Sequence, residues 1–188
     1  MVDVRINSAD ENKPEVIRLV KSAIGGDTEA FGKLYNIYVV PIYRYVFYHV
    51  RDKMTAEDIT EEVFLKAWKA LHTCWGREET FSSWLYRIAH NEMIDILRRQ
   101  HKQVSLEVGK VAEMPAPKAN VEVKAEQHEL VKAIASLPPN QKQVIILKFI
   151  EGMNNQEIGQ IMGKNQGAIR VLQMRALANL RGSAHRGR

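Results

Sequence analysis

The sequence predicts an all-α protein: two small helical domains joined by a flexible tether, the C-terminal one containing a helix-turn-helix. Three observations carry this. Helical periodicity runs through almost the whole chain, and strand-like stretches such as "VVPIYRYVFYHV" are brief and set among helical patterns. Residues 103–124 break the periodicity, with no sustained apolar stripe and with Pro115 and Pro117. Residues 154–181, "NNQEIGQIMGKNQGAIRVLQMRALANLR", read as two short helices hinged at Gly163. A chain of 188 residues, 45% of them hydrophobic, can bury one real core or two small ones. The expected division is 1–102, a linker over 103–125, and 126–188.

The elements follow in order. Residues 15–24 form a first helix, closed by Gly25 and Gly26. Asp27 caps the second, because its side chain can accept from the free N–H groups of the first turn; Ala30, Phe31, Leu34 and Tyr35 lie on its inner face. Pro41 starts or kinks the segment that carries Ile42, Tyr45, Val46 and His49. Thr55 caps a helix over 56–71, where Glu57 and Asp58 suit the positive N-terminal end. Its inner side is Ile59, Val63 and Ala67, which leaves the acids facing solvent. The polar loop "HTCWGREET" leads into a helix over 81–100 with Leu85, Ile88, Ala89, Ile96 and Leu97 as its stripe. Beyond the tether, helical signal returns over 126–136. Leu137, Pro138 and Pro139 punctuate it, and 140–150 make a further helix ended by Gly152.

Charge narrows the class. The net charge is +5, yet from Ile158 to the end there is no Asp or Glu. Lys164, Arg170, Arg175, Arg181, Arg186 and Arg188 all lie there, which leaves about −1 for everything before it. Such asymmetry is a footprint for a polyanion, although a solvated basic tail would show it too. No apolar run is long enough to span a membrane and the N-terminus lacks an apolar signal core, so the expected location is the cytoplasm. The single cysteine, Cys74, cannot form an internal disulfide, and with His72 it offers too few ligands for a metal. No cofactor is expected. There is no HExxH, P-loop or GxSxG, and "IGGDTEAFG" has the glycines of a nucleotide loop without a strand before them, so no enzyme is expected.

Residues 154–181 meet the demands of a helix-turn-helix. Asn154 and Glu157 have the spacing of a capping box. Gly159 has no side chain to hold the two helices apart, Gly163 supplies the permissive turn, and Asn165 can cap the second helix. Ile158, Met162, Ile169 and Leu172 are apolar where the pair must pack, with Ala176, Leu177 and Leu180 extending the stripe. That leaves Gln166, Arg170, Gln173 and Met174 near the outer faces, with Arg175 close to a phosphate path. A plain helical hairpin could show the same pattern.

The N-terminal half offers a different chemistry. Arg87, Asn91, Asp95 and Arg98 share one helix face, with Arg99 and Lys102 beside its end. Trp75, Phe81 and Trp84 lie in or near the preceding loop. Aromatics beside cations suit unstacked bases. The plainer alternatives are an Asp95 paired along the helix with Arg98 or Arg99, and a Trp84 that is core.

Three blocks, "AEDITEEVFLKAWKAL", "FSSWLYRIAHNEMIDILRRQ" and "LPPNQKQVIILKFIEGMNNQEIGQIMGKNQGAIRVLQMRALANLR", with the weaker "GDTEAFGKLYNIY", resemble the bacterial extracytoplasmic-function (ECF) sigma factors. They cover most of the chain outside the tether and the extreme ends. The resemblance implies a subunit that binds core RNA polymerase and directs promoter-specific initiation. Docking on the beta-prime clamp helices would fall to Asp58, Glu61, Glu62 and Leu65, and the C-terminal domain would meet the beta flap. The family usually has Gln where this chain has Glu61. Base capture and melting at the −10 element would fall to the loop with Trp75 and to Arg87, Asn91, Arg98 and Arg99. Reading of the −35 element would fall to Asn165, Gln166, Arg170, Gln173, Met174 and Arg175. Asn165 stands where Ser or Thr is common and Met174 where a polar residue is common. An anti-sigma factor is the further partner implied. A tether of about twenty residues averages roughly 25 Å and can stretch further, enough to let two domains address two promoter elements. The rival is a stand-alone helix-turn-helix regulator, which would leave the N-terminal blocks without a purpose.

Overall fold

The computed structural model describes residues 13–107 and 131–186. The helices are α1 (Lys13–Ile24), α2 (Thr28–Val50), α3 (Lys53–Ala70), α4 (Phe81–Glu107), α5 (Pro139–Ile145), α6 (Asn155–Met162) and α7 (Gln166–Arg186). Residues 131–135 are also helical, and no strand occurs among the described residues. The all-α fold class is therefore the observed one.

Local chemistry explains most boundaries, with four differences from expectation. Asp27 caps α2 as expected, its Oδ1 accepting from the N–H groups of Glu29 and Ala30. Pro41 lies inside α2, which runs on past it to Val50, so it does not start a new helix. The N-cap of α3 is Asp52 rather than Thr55: its carboxylate accepts from both the backbone N–H and the hydroxyl of Thr55, which moves the helix start forward to Lys53. A carboxylate at that end also meets the helix dipole, which a hydroxyl does not. The long helix α4 continues to Glu107, so 103–107 are helical, while the rest of the expected tether lies outside the described residues. The expected helix over 140–150 is α only to Ile145. Residues Ile146–Ile150 widen into a π turn, closed by the Glu151 N–H on the Ile146 carbonyl at 3.0 Å.

The N-terminal unit packs α1, α2, α3 and α4 around Leu34, Ile42, Tyr45, Ile59, Phe81 and Leu85, all sealed from solvent. The C-terminal unit packs α5 against α7 and α6 against α7, around Ile146, Leu147, Ile158, Ile169 and Ala176. The two units touch, because α6 packs along α4 and the π turn approaches α2. The contact also has a polar seam. Glu151, 0% exposed, accepts from Arg44 Nε and a terminal guanidinium nitrogen at 2.9 Å each, and from the Tyr86 hydroxyl at 2.7 Å. Gln143 Nε2 donates to His90 Nδ1 at 2.9 Å, and Lys142 Nζ donates to the His49 carbonyl at 3.1 Å. Burial drives the His49 imidazole down to about 3 and the Lys142 amine to about 8.

Candidate nucleic-acid interface

The C-terminal surface is built by caps and two glycines. Asn154 and Glu157 form the expected reciprocal capping box at the start of α6. Gly163 ends α6 at φ 63°, a left-handed conformation that favours glycine. A Cβ on Gly159 would stand 2.6 Å from the Lys164 carbonyl oxygen, so the turn closes only over a bare backbone. Asn165 Oδ1 then accepts from the Ala168 N–H at 2.8 Å and starts α7. With Ile169 and Ala176 buried, Gln166, Arg170 and Met174 are exposed, Gln173 is half-buried beside them, and Arg175 is exposed as well. At about 100° per residue, Gln166, Arg170, Gln173 and Met174 fall within one sector, while Arg175 lies on the far flank. An amide, a guanidinium and an apolar group therefore share one solvent-facing stripe.

The N-terminal surface has other parts. Residues 71–80 make two short 3-10 turns, joined where Gly76 takes φ 72°. The loop is braced by Gly76 N–H on Glu78 Oε1 at 3.1 Å and by Arg77 N–H on the Cys74 carbonyl at 2.9 Å. Trp75 projects from it, 75% exposed. Beside it opens a cleft of about 550 Å³, lined by Thr73, Arg77, Ser83, Trp84 and Arg87 among others, with Gln160 of α6 at its edge. Trp84 is half-buried at the cleft wall, its ring 5.6 Å from that of Phe81. Phe81 itself is core, packed edge-on against Tyr38, so it cannot serve a base. Arg87, Asn91, Asp95, Arg98 and Arg99 are exposed, and among the described residues no ion pair joins Asp95 to Arg98 or Arg99. Cys74 is buried and its thiol is pushed up to about 11 by burial, which removes the thiolate that redox chemistry would need. Among the described residues no cluster of His, Cys, Asp or Glu could hold a metal.

A third exposed surface runs along α3. Asp58, Glu61 and Leu65 are exposed and Glu62 is half-buried, at i, i+3, i+4 and i+7, so all four share one face. Met54 and Trp68 stand exposed at its two ends. A shallow groove of about 260 Å³ between α2 and α3 adjoins Glu61 and holds Tyr35, Val40 and Tyr43.

Comparisons with known proteins give these surfaces a context. The sigma-70 region 2 model matches residues 34–103, and the sigma-70 region 4 model matches 133–182. The ECF RNA polymerase sigma factor BldN of Streptomyces coelicolor is 33% identical over 177 residues, covering 92% of this chain and 67% of BldN. The ECF sigma factor SigX of Bacillus subtilis is 32% identical over 161 residues, covering 81% of this chain and 82% of SigX. This chain belongs to the ECF sigma factors. It is thus one of the proteins that bind core RNA polymerase and direct promoter-specific transcription initiation. The solved complex of CnrH with the cytosolic domain of CnrY shares the sigma factor's fold: TM-score 0.68 at 22% identity, covering 90% of this chain and 97% of that one.

Three features of the sigma factor escaped the sequence reading. Met54 and Trp68 extend the α3 face, and their helical spacing from Asp58 and Leu65 could have revealed them. Arg77 on the cleft carries a local signal too, a cation two residues from Trp75. The third, the Glu151 seam, has no local signal, since its partners lie far away in sequence.

Proposed function

We propose that the sigma factor works through three separate surfaces. The α3 face of Asp58, Glu61, Glu62 and Leu65 docks on the beta-prime clamp helices of core polymerase. The Trp75 loop, with Arg87, Asn91, Arg98 and Arg99, captures and holds the melted −10 strand. The α7 stripe of Gln166, Arg170, Gln173 and Met174 reads the −35 duplex, with Arg175 on phosphate and Asn165 fixing the helix start. The observation that carries this division is chemical. Amide and guanidinium groups on a capped helix suit base edges, whereas an exposed indole beside arginines suits an unpaired base.

Catalysis then stays with the polymerase, and the chain supplies recognition only. Its place of work is the cytoplasm, beside core polymerase and DNA; among the described residues no helix is long and apolar enough to cross a membrane. The domain division is 1–102, 103–125 and 126–188, and an anti-sigma factor is a further partner. Structures of the same fold support that last point, one of them the sigma factor RpoE of Bartonella quintana in complex with the anti-sigma factor NepR.

In vitro transcription with bacterial core on a promoter library tests the reading directly, with Asp58→Lys/Glu61→Lys as the informative variant. Like charges set against a complementary surface cost several kcal/mol, so core binding should fall about a hundredfold or more while helicity by circular dichroism is unchanged. Core binding at wild-type strength would place the docking face elsewhere.

A further inference from the structure

Between α3 and α4 two carboxylates share one ammonium, a contact that none of the three surfaces above uses. Glu92 lies on α4 in line with Leu85, Ile88 and Ile96, one position of an otherwise apolar stripe packed on the core. Its side chain is only 6% exposed. A carboxylate at such a position is destabilising unless it is paired, so packing alone does not account for it. Its partner is Lys66 of α3, whose Nζ donates to Glu92 Oε2. The same Nζ stands 3.9 Å from Glu62 Oε1, one turn earlier on α3. Among the described residues no other ion pair joins these two helices. Glu62 belongs to the face assigned to core polymerase, and Glu92 adjoins Asn91 on the helix assigned to the −10 strand.

Two acids competing for one cation make an element with two arrangements that both sites can bias. While Glu62 faces solvent, Lys66 is divided between the two carboxylates. The docking face is acidic, so the surface complementary to it is basic. Once a cation of core polymerase takes Glu62, Lys66 serves Glu92 alone. That undivided pair lies where water is scarce and charges attract more strongly, and it holds α4 against α3 in one rotation. A helix turns as a rod. Arg87, Asn91 and Arg98 fall within one narrow sector of α4 at about 100° per residue, so the same contact aims all three.

We propose that Lys66 is a positioning residue that couples polymerase docking to the grip on the −10 strand, by passing from Glu62 to Glu92 when core binds. The proposal rests on the assignment of the α3 face to core and of the α4 face to the −10 strand. Coupling is reciprocal, so the strand must tighten core binding by the factor by which core tightens the strand.

The test measures the affinity of the full chain for core with and without a single-stranded oligonucleotide carrying the −10 sequence of a promoter it transcribes. Wild type should bind core about fivefold or more tightly with the oligonucleotide present. Glu92→Gln is the decisive variant, because a side chain this buried touches neither core nor DNA. It should bind core alone as wild type does and lose most of the gain. Lys66→Arg keeps the cation and should keep the gain. Lys66→Met/Glu92→Leu replaces the buried pair by apolar groups of similar volume, a change that leaves such folds as stable or more so. This double variant should melt no lower than wild type and still lack the gain, a result that a purely structural pair would not give. A full gain in Glu92→Gln or in the double variant overturns the proposal. So does a wild type whose holoenzyme binds the oligonucleotide without any gain, and the three-surface reading then stands. A wild-type holoenzyme that does not bind the −10 oligonucleotide takes down that reading and the coupling with it.

Discussion

The two surfaces proposed to face DNA are made in opposite ways. The α7 stripe rests on local devices: a capping box, a bare glycine, a left-handed turn and an Asn cap, all within 154–165. The Trp75 loop rests on distant ones: its neighbour Phe81 packs on Tyr38 of α2, and its cleft borrows an edge from α6. The contrast follows the task. Reading a duplex groove needs a rigid helix whose polar groups are aimed before contact, so backbone geometry is fixed turn by turn. Holding an unpaired base needs an exposed aromatic on a braced loop, and stacking tolerates more variation in approach.

Gly159→Ala should separate the two surfaces most strongly. Its Cβ meets backbone rather than a yielding side chain, so the turn must shift; overpacking of this kind costs about 1–3 kcal/mol. Thermal denaturation should show the loss. Transcription that depends on the −35 element should fall more than tenfold, while core binding persists. Retained −35 dependence would mean that the aim of α7 does not hang on this contact.

Next in size is a crossed pair. Trp75→Ala removes a stacking platform worth about 1–3 kcal/mol, which should weaken binding of the single-stranded −10 sequence by holoenzyme and leave −35 preference unchanged. Arg170→Ala would remove the proposed base contact, worth about 1–3 kcal/mol if bidentate, and should do the reverse, flattening preference across a panel of −35 variants. If both variants lose both properties, the division of labour fails.

The smallest effect belongs to Arg175→Ala. Arg175 lies on the far flank of α7, where we propose that it meets phosphate rather than bases, so its loss should lower the salt dependence of holoenzyme binding by about one unit of slope without altering sequence preference. A changed preference at a single −35 position would move Arg175 into the reading set.

How much of this was legible in the sequence follows the same contrast. Every device of the 154–165 turn was readable, since Asn154, Glu157, Gly159, Gly163 and Asn165 act on neighbours a few residues away. The Asp27 cap and the acidic face of α3 were readable for the same reason. The start of α3 was misread because Asp52 and Thr55 both have the right chemistry, and only the hydrogen bonds show that the carboxylate caps while the hydroxyl donates to it. Phe81 looked available because it adjoins a loop; its partner Tyr38 lies more than forty residues earlier. The π turn had no signal, because "IILKF" carries an ordinary helical pattern. Glu151 read as a residue beyond a helix end, and its three hydrogen bonds come from elements brought close only by the fold.

The central claim is that neither DNA surface suffices alone and that core polymerase brings them into register. A fluorescence anisotropy titration of the full chain on promoter DNA at physiological salt, with and without core, tests it most directly. A lone module of this size buries roughly 600–1,000 Å² on DNA and its binding falls steeply with salt, so the free chain should bind weakly and with little sequence choice. With core present, affinity and choice should rise sharply, because both domains are then held on one promoter. Nanomolar, sequence-specific binding by the free chain would contradict the claim and favour a regulator that acts without polymerase.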